Sequence, residues 1–201
     1  MQSAYFLSLT LKKSNPKITI MQTYISMLRG INVSGHKMIK MEALRNLYTQ
    51  LNFKKVQTYI QSGNVIFQST EKNLNKLEQK IADKILEEFG FDVPIMVKSK
   101  ADFENVIHHN PFPNEDLSKV HVTFLCENPQ PENGLKISHT AFLPDQFVII
   151  ENSIYLFCPN GYGKTKLNNT FLENKLKVIA TTRNWKTINE LLNIAHKISK
   201  T

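Results

Sequence analysis

Apolar positions along the first half of the chain alternate between the two periods that mark strands and helices. Residues 23–31 (TYISMLRGI) form a β-branched and apolar run containing Gly30, which reads as a strand entering a loop. Residues 32–37 (NVSGHK) are rich in turn formers. Met41, Leu44, Leu47, Tyr48 and Leu51 then recur at three- and four-residue intervals, which predicts an amphipathic helix over 40–52. Residues 56–60 and 65–67 flank the turn Gln61-Ser62-Gly63-Asn64 as a hairpin. Leu74, Leu77, Ile81, Ile85, Leu86 and Phe89 mark a second helix stopped by Gly90, and residues 93–97 follow as a strand. The order β-α-β-β-α-β is the split pattern of ferredoxin-like folds.

The second half follows the same grammar more loosely. Ser99 and Asp102 make a capping box that opens a short helix ending at Asn110, before Pro111 and Pro113. Residues 120–126 alternate as a strand, and 129–144 are weakly patterned with room for one short helix. Residues 147–150 and 154–157 bracket Asn152-Ser153 as a second hairpin. Leu167, Phe171, Leu172 and Leu176 predict a helix, and Thr187 with Glu190 caps a last one carrying Ile188, Leu191, Leu192, Ala195 and Ile198. The expected fold class is α+β, with two subdomains built on antiparallel sheets, 21–98 (ferredoxin-like) and 99–201. Residues 1–20 are read as an extension outside the fold, because Met21 directly precedes the first patterned strand.

Composition removes several alternatives. The chain has 201 residues, 41% hydrophobic and 21% charged, so it is neither disordered nor fibrous, and its apolar runs are too short to span a bilayer. Cys126 and Cys158 lack a CxxC spacing and read as buried reduced thiols of a cytoplasmic protein. Net charge is +8 and unevenly spread: residues 100–159 carry −5 and residues 160–201 carry +6. That polarity suits attraction of phosphates or nucleic acid.

Four polar segments stand out, the first three of them with glycine: 29–37 (RGINVSGHK), 59–64 (YIQSGN), 160–169 (NGYGKTKLNN) and 181–187 (TTRNWKT). None holds an Asp or Glu, which argues against paired-carboxylate hydrolysis and Mg²⁺ or Ca²⁺ binding at these segments. They offer arginine and lysine beside Ser, Thr, Asn and backbone donors, an anion-binding inventory. Gly163-Lys164-Thr165 matches the end of a phosphate-binding P-loop, but Cys158 stands where its first glycine belongs and no Walker B strand follows. No HxxxH or HExxH pairing or nucleophile elbow is present, so neither a metal nor a catalytic residue is assigned, and no cofactor is implied. Trp185, the single tryptophan, reads as a core or interdomain plug.

The segments LRGINVSGHK, TYIQSGNVIF, NPFP, GYGKTKL and ATTRNW, in this order, resemble the bacterial domain-of-unknown-function 1697 family. Ser34 stands where that family usually has Gly, and Lys164 where Arg is common. The resemblance implies a cytosolic bacterial α+β protein with a ferredoxin-like first half, and no particular activity.

The residues themselves point to a phosphorylated small molecule or nucleotide held in a cationic cleft between the subdomains. Arg29, Asn32, Lys37, Ser62, Asn64, Lys164, Lys166, Arg183 and Asn184 are the residues expected to line it. Three alternatives stand beside that reading: an enzyme on a phosphorylated substrate with His36 or Tyr59 as its base, a nucleic-acid binder, and motifs that serve interdomain structure. A compact anion ranks ahead of nucleic acid, because the positive charge is tied to glycine loops.

Overall fold

Residues 20–33, 35–137 and 139–200 are described by the computed structural model. The expected extension over 1–20, apart from Ile20, and the Ser34 departure lie outside the described residues.

The first half runs β1 (Gln22–Leu28), α1 (Met41–Gln50), β2 (Lys54–Tyr59), β3 (Asn64–Ser69), α2 (Leu74–Phe89) and β4 (Ile95–Ser99), and continues into α3 (Lys100–His108). The second half repeats the order: β5 (Val120–Leu125), α4 (Pro131–Leu135), β6 (Gln146–Ile150), β7 (Ser153–Phe157), α5 (Asn169–Leu176), β8 (Ala180–Asn184), then α6 (Trp185–Lys200). The strands form two four-stranded sheets, β2-β3-β1-β4 and β6-β7-β5-β8, with every pairing antiparallel. Each strand of the first half therefore has its counterpart at the same place in the second sheet. The protein is α+β, two antiparallel sheets with helices.

Alternation along the central strands explains the layers. On β1, Tyr24 and Leu28 join the cluster beneath α1 and α2, whereas Ile25 and Met27 point the other way. Cross-strand register puts Ile66 opposite Ile25 and Met96 opposite Met27 on that inward face. The second sheet faces it with Val120, Val122, Phe124, Tyr155 and Phe157, and its outer face packs under α5 through Ile154, Leu156 and Ala180. Between the inward faces lie α3 and α6, which supply Phe103, Val106, Trp185, Ile188, Leu191 and Ala195. Burying each large apolar side chain there contributes about 1.5–3 kcal/mol.

Each half lends its last helix to the other. Phe103 of α3 stacks on Phe124 of β5 at 5.1 Å, and the Tyr155 hydroxyl donates to the Val106 carbonyl at 2.9 Å. The end of α6 reaches the first sheet, where Lys55 Nζ and Gln68 Nε2 both donate to the Ile198 carbonyl at 3.1 Å. At the 98/99 division expected from sequence the chain runs from β4 into α3 without a linker, Ser99 ending the strand and capping the helix.

Three local expectations are corrected. Residues 181–184, read as polar loop, belong to β8, which pairs with β5 and, among the described residues, is an edge strand. The last helix starts at Trp185 with Asn184 as its cap, the Thr187 N–H donating to Asn184 Oδ1 at 2.8 Å, so the Thr187–Glu190 box does not open it. Cys126 is exposed, not buried, because it sits just past the end of β5 where the chain turns outward; Cys158 is buried. Among the described residues no helix is long and apolar enough to cross a membrane.

Candidate functional site

Four of the nine expected residues, Arg29, Ser62, Asn64 and Arg183, meet where the two halves join. The β2–β3 turn makes this geometry. Gly63 has φ +76° and its carbonyl accepts from the Leu28 N–H at 2.8 Å, drawing the turn against the end of β1. A Cβ on Gly63 would stand 2.7 Å from Ile31 Cδ1 and 2.8 Å from Leu28 Cβ, so the close approach needs glycine. Asn64 follows, with Nδ2 donating to the Tyr59 carbonyl at 3.2 Å and Ser62 Oγ at 3.0 Å.

Arg183 enters from β8 and spends its whole guanidinium on this junction. Nε donates to Asn64 Oδ1 at 2.6 Å, and Nη2 donates to the Leu28 and Ser62 carbonyls at 3.0 and 3.3 Å. Nη1 stays within the second half, on Thr181 Oγ1 and the Thr182 carbonyl, both at 2.9 Å. An arginine has five N–H donors, and here five acceptors receive them. Burial pushes the guanidinium down to about 10, so it remains charged at neutral pH. Arg29 forms an ion pair with Glu173 of α5, whose same carboxylate oxygen accepts from the Ala180 N–H at 2.8 Å.

The other expected residues are placed differently. Asn32, at φ 56°, ties its loop to the β2–β3 turn: Nδ2 donates to the Ile39 carbonyl and to the Gln61 carbonyl of that turn, and Oδ1 accepts from the Ile39 N–H. Lys37 Nζ donates to the Asp92 carbonyl at 2.5 Å. Asn184 caps α6. Lys164 and Lys166 line a hollow of about 370 Å³ together with Asn160 and the segment 141–145, which none of the other seven lines. Both lysines are exposed, and among the described residues no hydrogen bond or ion pair holds either ammonium. The expected single groove is thus divided: the arginines are committed to the junction and the lysines face a different hollow. Neither His36 nor Tyr59 lines that hollow.

Sequence reasoning missed two carboxylates here. Glu173 lies on α5, read only for its apolar face, and Asp145 reaches the hollow from a weakly patterned stretch; neither has a local signal. Tyr162 did lie in a singled-out segment. Its hydroxyl donates to Thr182 Oγ1 at 3.1 Å, and Thr182 donates to Asn169 Oδ1 at 2.6 Å. Burial, with Asp145 nearby, pushes the Cys158 thiol up to about 11, so it stays protonated at neutral pH and is a poor nucleophile.

A family model described as "Protein of unknown function (DUF1697)" matches residues 21–155. The chain belongs to the DUF1697 family. The match covers the first sheet, β5 and β6, and ends within β7; Lys164, Lys166 and Arg183 lie beyond it. No curated protein matches significantly. Among solved structures, the conserved bacterial protein SP0830 from Streptococcus pneumoniae is similar, with TM-score 0.68 and 24% identity over 88% of this chain and 99% of that one. That likeness is one of fold. This DUF1697 chain holds, among its described residues, no group of three or more His, Cys, Asp or Glu able to hold a metal ion.

His121 gives the junction a pH dependence. It stacks on Tyr162 with centroids 4.8 Å apart, and burial holds its imidazole below the ordinary value of 6.5. The unfolded chain therefore takes the proton first, so His121 lowers stability as pH falls through about 6.5 and stops doing so below the depressed folded value. Urea unfolding above and below that pH should show a smaller loss in His121→Gln than in the unchanged protein. An identical loss in both would assign the dependence to other groups.

Proposed function

We propose that the protein binds a phosphorylated small molecule or nucleotide in the hollow lined by Asn160, Lys164 and Lys166, and that Arg29, Asn64 and Arg183 hold the two halves together. One observation carries this reading: among the described residues the lysine ammonium groups have no partner, whereas the arginines have theirs already. A hollow of about 370 Å³ suits a small ligand. Among the described residues Asp145 is the one carboxylate lining it, so the lysines leave it net positive. The free thiols Cys126 and Cys158 fit a reducing compartment, and we place the activity in the bacterial cytoplasm.

A thermal-shift series with inorganic phosphate, sugar phosphates, nucleotides and short oligonucleotides tests it. A ligand at a hundred times its dissociation constant adds about 2.7 kcal/mol of stability. The Lys164→Ala, Lys166→Ala double variant should melt with the unchanged protein when no ligand is present, since both side chains are exposed, and should lose the ligand-induced shift. A full shift in the double variant contradicts the assignment. Stabilisation by oligonucleotides alone, steeply weakened by salt, would favour a nucleic-acid binder.

A further inference from the structure

Strands β2 and β6 hold the same place at the edges of their sheets, yet only one of them is guarded. β2 carries Lys54 and Lys55, and its register shifts between Lys54 and Gln57, with Lys55 at φ 50°. Charge and a bulge are how sheet edges avoid unwanted partners. β6 reads Gln-Phe-Val-Ile-Ile from Gln146 to Ile150, has no charged side chain, and pairs with β7 in unbroken register. Among the described residues no strand pairs with its other edge.

Beside β6 lies a hollow of about 790 Å³, running between Phe147, Val148 and Ile149 on the strand and Pro131, Gly134 and Leu135 on α4. Leu135 is 86% exposed there. The surroundings are acidic. Glu151 lines the hollow, Glu132 lies on α4, Glu127 precedes the lining residue Asn128, and all three are exposed. Residues 127–151 carry four acids and a single lysine, Lys136, whose Nζ donates to Asn133 Oδ1.

We propose that β6 and this groove form a docking edge for an extended peptide segment of another protein, apolar at alternate positions and flanked by lysine or arginine. The segment adds a strand beside β6: its main chain pairs with the free edge, alternate side chains enter the groove, and its basic ends meet Glu127, Glu132 and Glu151. Five residues of β6 offer about 17 Å of edge, enough for a short motif. Charge disfavours a second copy as the occupant, because β6-to-β6 pairing sets one group of glutamates against the other. This surface is separate from the lysine-lined hollow, and the proposal stands without the phosphate reading.

The test uses the full chain and a small set of synthetic peptides that alternate Val, Ile or Phe with Thr and carry lysine pairs at both ends, with binding followed by calorimetry. Glutamate-ended counterparts should bind at least about tenfold more weakly. Peptides N-methylated along one edge should not bind, because they cannot pair with a strand. Leu135→Glu, at a position already exposed, should weaken binding without altering the melting temperature. Glu132→Lys with Glu151→Lys should reverse the preference between lysine and glutamate ends. The proposal is overturned by an absence of binding, by equal binding of methylated and unmethylated peptides, or by a solution dimer that Leu135→Glu dissociates.

Discussion

Arg183→Ala should lower the free energy of unfolding by about 3 kcal/mol. The substitution removes five hydrogen bonds and leaves Asn64 Oδ1 and the Leu28 and Ser62 carbonyls facing a gap between the two halves. Each buried polar group left unsatisfied costs about 1–3 kcal/mol, moderated here because the junction is only partly closed to water. Arg183→Lys should recover little of the loss, since one ammonium cannot reach acceptors on both sides at once. Urea unfolding followed by the fluorescence of Trp185, 8% exposed in the shared helical layer, reads the effect directly. A loss below about 1 kcal/mol would mean that water replaces the guanidinium freely and that Arg183 is not the tie described.

Gly63→Ala should cost about as much, through sterics. The left-handed backbone at φ +76° costs a residue with a Cβ about 1–2 kcal/mol. The new Cβ also meets Ile31 Cδ1 at 2.7 Å and Leu28 Cβ at 2.8 Å, overpacking worth about 1–3 kcal/mol more. Moving the turn aside displaces Ser62 and Asn64, both acceptors for Arg183. The double variant with Arg183→Ala should therefore lose less than the sum of the single losses, which a double-mutant cycle measures. Strict additivity would show that the turn relaxes without disturbing the junction.

Local physics made much of the fold readable. Helices α1 and α2 follow from apolar residues at helical spacing, and the Ser99–Asp102 box is made as its sequence suggests, with Ser99 Oγ accepting from the Asp102 N–H and Asp102 returning to Ser99. Strand β8 was not readable, because Thr181, Thr182 and Arg183 turn polar groups into the junction and erase the apolar alternation. Exchange of α3 and α6 between the halves leaves no trace in either helix, since an amphipathic stripe does not say which sheet it covers. The candidate site was legible in its residue types and not in their partners. Arg29 and Glu173 are 144 residues apart, and Arg183 and Asn64 are 119 apart. A list of cationic loops cannot distinguish an arginine spent on such contacts from a lysine left open.

That distinction is most directly measured by backbone amide chemical shifts of the full chain during titration with inorganic phosphate and with a nucleoside monophosphate. The expected result is saturable change confined to residues 141–145 and 160–166, absent from the Lys164→Ala, Lys166→Ala variant, with the amides of Arg29, Ser62, Asn64 and Arg183 unmoved. Changes centred on those four residues and retained in the lysine variant would place the ligand at the junction and contradict the account.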